Sequence, residues 1–333
     1  MEINFTHHQT AHCENGVISN LMKYKGFEIS EPMVFGIGSG LIFCYIPFLK
    51  VNHAPAISYR TMPGQIFKKF AKRVGIKIKK EKFKNPQQAE ARLNENLEKN
   101  NPVGLQVGVY NLVYFPDEYR FHFNAHNLIV FGKENGSYLI SDPVMETVTT
   151  LTAKELEKVR FAKGAFAPKG HMYYPISFPK ELNIKEAIIK GIKNTCRDML
   201  APVPIIGVNG IRYTAKLIRK WPKKKGVKVA NHYLGQIVRM QEEIGTGGGG
   251  FRYIYAAFLQ ESSKILDNNK LADLSKEMTV IGDLWRDFAL DASRIYKSRS
   301  RSAENDVYNN VASQLEVIAD KEEVFFKKLK KAI

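Results

Sequence analysis

The chain has 333 residues and a mass of 37.9 kDa, beyond the size at which a single hydrophobic core usually keeps growing, so two domains are expected. Its composition, 44% hydrophobic and 25% charged, excludes a disordered or collagenous chain. The three cysteines, Cys13, Cys44 and Cys196, are too few for a disulfide scaffold and suggest a reducing compartment, the cytoplasm. Fifty Lys and Arg against thirty-three Asp and Glu leave a net charge of +17, concentrated in residues 51–100 and 151–250, which favours acidic partners.

The start, Met1-Glu2-Ile3-Asn4, lacks the basic-then-apolar pattern of a secretory signal. Cys13–Tyr24 places Val17, Ile18, Leu21 and Met22 at helical spacing and stops before Gly26, so it reads as a helix. Val34–Leu49 is the most apolar stretch, but with three glycines and a proline in 16 residues it falls short of the roughly 20 needed to span a bilayer. It reads as buried core, and no membrane association is expected. Further helices are expected over Met62–Val74 and Asn85–Asn100, the latter with Pro86 in its first turn. Strands are expected at Val103–Leu112, Asn127–Phe131 and Ser137–Ile140, the last two forming a hairpin that turns at Glu134-Asn135-Gly136.

Past Tyr173-Tyr174-Pro175 the alternating patterns give way to long amphipathic segments. Helices are expected at Ile184–Met199, Gly207–Lys220, Val227–Glu243, Phe251–Asp267, Ala272–Ser298 and Ala303–Lys331. The fold class is therefore α+β to about residue 175, followed by a mainly helical domain over 176–333.

Three residues carry the candidate chemistry. Cys13 stands at the start of a helix in a loop that also holds His7, His8 and His12. A helix N-terminus and a neighbouring imidazolium both favour the thiolate, the nucleophilic form of cysteine. His126 opens one strand of the expected hairpin and Asp142, sixteen positions on, closes its partner, so the carboxylate can hold the imidazole tautomer that proton transfer needs. Taken singly, each has a plainer reading: an inert buried cysteine, a core or turn histidine, a turn-forming Asp-Pro.

The order Cys13, His126, Asp142 matches the papain-like superfamily, and the chain resembles its BtrH-type family, named for a butirosin-biosynthesis acyltransferase. The resemblance rests on Phe5-Thr6-His7 with His12-Cys13, on Ser30-Glu31-Pro32 running into Gly36-Ile37-Gly38-Ser39-Gly40, and on Gln241–Gly248 with Phe251-Arg252 in the helical half. It implies a papain-like first domain and a helical second domain that closes over the cleft and keeps water out. The implied function is acyl transfer: an acyl group passes from a carrier-protein thioester to Cys13 and then to a small amine, as in specialised-metabolite and antibiotic biosynthesis. Cys13 would be the nucleophile, His126 the base and acid, and Asp142 the orienting group. Relatives place a glutamine six residues before the nucleophile as oxyanion donor; here that position is His7, so His7, with Gln9 as fallback, is the expected side-chain donor beside the backbone N–H of Cys13.

The resemblance implies no cofactor beyond the phosphopantetheine arm that carries the substrate. Glu31, Gly38 and Arg252 are candidate substrate or carrier contacts, the last because it adjoins the glycines at 245 and 247–250, whose N–H groups could meet an anion. The basic blocks Lys77–Lys82 and Lys220–Lys225 suit an acidic carrier better than nucleic acid, since neither is interleaved with stacking aromatics. The histidine loop lacks zinc-site spacing, and Gly36–Gly40 lacks the spacing of a dinucleotide loop. The other readings are a cysteine peptidase or thioesterase using the same three residues, and a non-catalytic binding protein. Oligomeric state is not readable.

Overall fold

The computed structural model describes residues 3–51, 53–297 and 305–333; Met1, Glu2 and the expected helix ends at Ser298 and Ala303 lie outside the described residues. In chain order the elements are α1 (Cys13–Tyr24), α2 (Glu31–Ile37), β1 (Leu41–Val51), β2 (Ala54–Arg60), α3 (Gln65–Val74), β3 (Lys77–Glu81), α4 (Pro86–Glu98), β4 (Val103–Val107), β5 (His126–Glu134), β6 (Ser137–Ser141), β7 (Thr149–Thr152), α5 (Ala153–Arg160) and β8 (Met172–Ser177). Then come α6 (Ile184–Met199), α7 (Gly207–Ile218), α8 (Trp221–Lys225), α9 (Val227–Glu242), α10 (Arg252–Leu266), α11 (Asn269–Lys297) and α12 (Asn305–Lys331). The class is α+β.

Residues 1–34 and 66–183 form one compact unit, residues 35–65 and 184–333 another. The first unit is built on a six-stranded antiparallel sheet in the order β3-β8-β4-β5-β6-β7. Strand β5 is apolar on both faces, as a strand covered on two sides must be, with Leu128 and Val130 on one face and Ile129 and Phe131 on the other; Val103, Leu105 and Val107 of β4 extend the first face, and all seven are buried. Each such side chain contributes roughly 1.5–3 kcal/mol by leaving water. Helix α1 packs against β4 and β5. The strand expected to run to Leu112 ends at Val107, because Val109–Asn111 turns into a single 3-10 turn whose Val109 N–H donates to Phe123 O at 2.8 Å. The basic block Lys77–Lys82 contributes edge strand β3, whose lysines suit a position with one exposed side.

The second unit combines the C-terminal helices with an antiparallel hairpin, β1–β2, from much earlier in the chain. Sequence alone places residues 35–65 in a first domain ending near 175. Contacts instead group them with the helices for a clear reason: alternate residues Phe43, Tyr45 and Tyr59 bury their rings there. Phe43 and Tyr59 lie 5.9 and 5.4 Å from the Trp285 ring, Tyr45 lies 6.3 Å from Trp221, and the backbone N–H of Tyr45 donates to Ile205 O at 3.0 Å. Among the described residues no helix is long and apolar enough to cross a membrane.

Candidate active site

Every residue of this site belongs to the first unit. Helix α1 begins at Cys13, with His12 as its N-cap; His12 Nδ1 accepts from the Asn15 N–H at 3.4 Å. The loop before it is tied down twice. Thr10 N–H donates to Pro143 O at 2.6 Å, and the Glu31 carboxylate takes the Ala11 N–H at 3.0 Å and the His12 N–H at 2.7 Å, one on each oxygen. One turn into α1 stands Gly16, where a Cβ would fall 2.0 Å from Thr10 Oγ1 and 2.6 Å from Pro143 Cβ. Only glycine lets the first turn of α1 come this close to the residue that follows Asp142.

His126 is the first residue of β5, and Asp142 directly follows β6. Ile129 pairs with Ser141, so Asp142 stands across from Leu128, on the face that His126 shares two residues along. His126 Nε2 lies 2.7 Å from Asp142 Oδ2, and the other side of the ring hydrogen-bonds Cys13. All three residues are buried: 7% exposure at Cys13, 5% at His126 and none at Asp142. Burial alone would strip the imidazole of its charge. The Asp142 carboxylate and Cys13, acting through charge and through hydrogen bonds, outweigh burial and hold the His126 pKa above its ordinary range.

Further side chains surround the three, among them Phe115, whose ring packs edge-on against His126 with centroids 5.4 Å apart. Tyr114 donates its hydroxyl to Asp142 Oδ2 at 2.8 Å, and the Val144 N–H donates to Oδ1 at 3.2 Å. Burial, together with Asp142, pushes the Tyr114 phenol well above its ordinary pKa, which keeps it a donor. Asn127 reaches Cys13 Sγ with its amide nitrogen at 3.9 Å, while its oxygen accepts from the Tyr173 hydroxyl at 2.8 Å. Neither Tyr114 nor Asn127 was singled out from sequence. Asn127 adjoins His126, and that adjacency was the only available hint.

Several expected contacts fall elsewhere. Both ring nitrogens of His7 are engaged, Nδ1 with Ser141 Oγ at 2.8 Å and Nε2 with Met145 O at 3.1 Å, so His7 braces the chain on either side of Asp142 and is not an oxyanion donor. Gln9 is exposed in the same loop. Glu31 contacts the nucleophile loop and is not an open substrate contact; burial, opposed by the two N–H bonds from Ala11 and His12, raises its carboxyl to about 7.

Gly38 lies in the buried turn after α2, within the second unit. Arg252, expected as an anion contact, is wholly buried in that unit. It pairs with Glu322 at 2.9 and 3.1 Å, donates to Gly250 O and lies over the Trp285 ring. The glycine run does offer an N–H to a carboxylate, but that carboxylate is the chain's own, with the Gly249 N–H donating to Glu242 at 3.1 Å. Among the described residues no group of three or more His, Cys, Asp or Glu side chains is arranged to hold a metal ion.

A helix-borne thiol, a strand-borne imidazole and a carboxylate in one hydrogen-bonded line form a papain-like arrangement. Residues 12–143 match the family model described as Butirosin biosynthesis protein H, N-terminal. Residues 154–329, more than half of the chain, match the model described as Domain of unknown function (DUF4872). The chain belongs to the DUF4872 family, and its residues 12–143 are similar to the N-terminal part of butirosin biosynthesis protein H. Cys13, His126 and Asp142 all lie within the BtrH-type match. A solved C39-like peptidase from Bacillus anthracis is similar at 13% identity and a TM-score of 0.38, over 53% of this chain and 96% of that one. No curated protein matches the chain.

Proposed function

We propose that this BtrH-type chain is a cysteine-dependent acyltransferase that forms an amide, taking an acyl group from a carrier-protein thioester in specialised-metabolite biosynthesis. The observation that carries the reading is the line Cys13, His126, Asp142, with 2.7 Å between imidazole and carboxylate and a hydrogen bond from imidazole to sulfur. A raised His126 pKa favours an imidazolium beside a thiolate, and the N-terminus of α1 favours the same thiolate.

In the first half-reaction the Cys13 thiolate attacks the thioester carbonyl. As the tetrahedral intermediate collapses, the carbon–sulfur bond to the carrier arm breaks and His126 gives its proton to the departing thiolate. In the second, an amine attacks acyl-Cys13, His126 takes the amine proton, and Cys13 leaves as thiolate with the amide formed. Asp142 holds the ring through Nε2, so the proton moves at Nδ1. The backbone N–H of Cys13 is one donor to the oxyanion. Aminolysis outcompetes hydrolysis only where water is scarce, and the low exposure of Cys13 suits that demand.

The test is product analysis. Wild-type protein incubated with an acyl-carrier thioester, with and without a panel of small amines, should give amide only when amine is present, and Cys13→Ala should give none. Quantitative free acid under both conditions would make the chain a thioesterase or peptidase. An absent acyl adduct in wild type would make it a binding protein.

A further inference from the structure

With His7 committed to Ser141 and Met145, the oxyanion of the reaction lacks the side-chain donor that the sequence pattern assigned to it. A side-chain N–H does reach the sulfur. Asn127, the second residue of β5, is buried, and its Nδ2 lies 3.9 Å from Cys13 Sγ, too long to be a strong ground-state bond. The amide has a defined orientation. Its oxygen accepts from the Tyr173 hydroxyl at 2.8 Å, and one of its two N–H groups donates to Ala125 O at 3.1 Å, so the other points towards sulfur. Burial, with Glu14 and Cys13 nearby, raises the Tyr173 phenol well above its ordinary pKa, so Tyr173 stays protonated as the donor in that pair. In a tetrahedral intermediate the negative oxygen sits two bonds from Sγ. An N–H that is long to sulfur is well placed for an oxygen carried just beyond it, which is the requirement for stabilising the transition state more than the resting enzyme.

The geometry points to Asn127 as the side-chain oxyanion donor of the acyl-transfer reaction, with Tyr173 as the residue that positions its amide. This assignment rests on Cys13 being the acylated nucleophile. It gives the strand two consecutive functional residues, with His126 moving the proton and Asn127 taking up the developing charge. It also explains why relatives' glutamine six residues before the nucleophile can be replaced here by a histidine with a structural role.

Two reactions of the same sulfur separate this role from a general effect on the site. Acylation by a small acyl thioester, an acyl N-acetylcysteamine, passes through an oxyanion; alkylation by iodoacetamide does not. Full-length wild type, Asn127→Ala, the near-isosteric Asn127→Leu and Tyr173→Phe are compared by intact mass against time. Removing an oxyanion donor should slow acylation by about 10²–10³-fold in both Asn127 variants while iodoacetamide reacts at the wild-type rate. Tyr173→Phe should slow acylation less, in the same direction.

Acylation and alkylation falling together would mean that Asn127 only shapes the surroundings of the thiol, and would overturn the assignment. So would wild-type acylation in Asn127→Ala. A wild-type protein that is alkylated but never acylated would instead overturn the acyltransferase reading itself, and the assignment with it.

Discussion

Tyr114 and His126 meet on a single oxygen: Oδ2 of Asp142 accepts the phenol at 2.8 Å and the imidazole at 2.7 Å. The carboxylate is thus fixed from two sides, with the Val144 N–H on its other oxygen. A carboxylate so held cannot swing to follow the ring, so the ring's orientation is inherited from the loop that carries Tyr114. Tyr114→Phe should therefore lower the rate of acyl transfer roughly 10-fold, the worth of one hydrogen bond to a charged group, with little change in KM. Asp142→Asn should lower it on the order of 10³-fold or more in a folded protein, since the amide favours the wrong tautomer. Steady-state kinetics beside a thermal melt check both, and a wild-type rate in Asp142→Asn would remove its orienting role.

Gly16 sets how closely α1 approaches Pro143. Since an added methyl would overlap Thr10 and Pro143, Gly16→Ala should cost about 1–3 kcal/mol and slow alkylation of Cys13 as the helix start is displaced. A melt and an iodoacetamide time course measure the two effects. Unchanged values in both would mean that the contact is not needed.

Glu31 links the nucleophile loop to pH. Its carboxyl is raised from 4.5 to about 7, chiefly by burial, so between those values the folded chain holds a proton that the unfolded chain has lost. Its contribution therefore favours the fold fully below pH 4.5, declines as pH rises and is gone above about 7. The Tm of wild type minus that of Glu31→Gln should fall across this window. A difference that is flat with pH, or that grows, counts against it.

Arg252 and Glu322 form an ion pair with no exposure on either side, braced by the Trp285 Nε1–H on Glu322 at 2.7 Å. Removing one partner strands the other charge, so Arg252→Met should destabilise the protein by about 3–5 kcal/mol. Activity per folded molecule, measured well below the melting temperature, should be unaffected. A selective rise in KM for the acyl carrier would restore Arg252 as a substrate contact.

The basic excess suits an acidic carrier, and exposed charges are screened by salt. Raising ionic strength from 0.05 to 0.5 M should raise KM for a carrier-bound thioester, since the Debye length shrinks from about 14 to about 4 Å, and leave KM for a free thioester unchanged. Equal response of the two substrates would argue against electrostatic docking.

How much of this was legible in sequence depends on how local the determinants are. Helix α1 was readable end to end from Val17, Ile18, Leu21 and Met22, as was α6, because a helix's apolar stripe lies within a few turns. His126 and Asp142 were readable because one short hairpin joins them. Tyr114 was not, since nothing periodic precedes it and its partner lies 28 residues away. His7 was misread because a loop histidine near a thiol looks free until the residues around Asp142 fold against it. Arg252 was misread for a similar reason: an arginine beside glycines looks solvent-facing, and its carboxylate partner lies 70 residues on. β3 was hidden by lysines, whose alternation with Ile78 is too short to register as a strand.

The early hairpin, β1–β2, has a bearing on biogenesis. Phe43, Tyr45 and Tyr59 leave the ribosome long before Trp221 and Trp285 are made, so these aromatic side chains must wait in an unfinished chain for most of translation. An open reading frame begun at the DUF4872 segment would lack the hairpin rings that cover both tryptophans. Separating the two halves onto different polypeptides would therefore break a core, and fusions or truncations of this protein are better designed around the interleaved units than around a cut in the middle of the sequence.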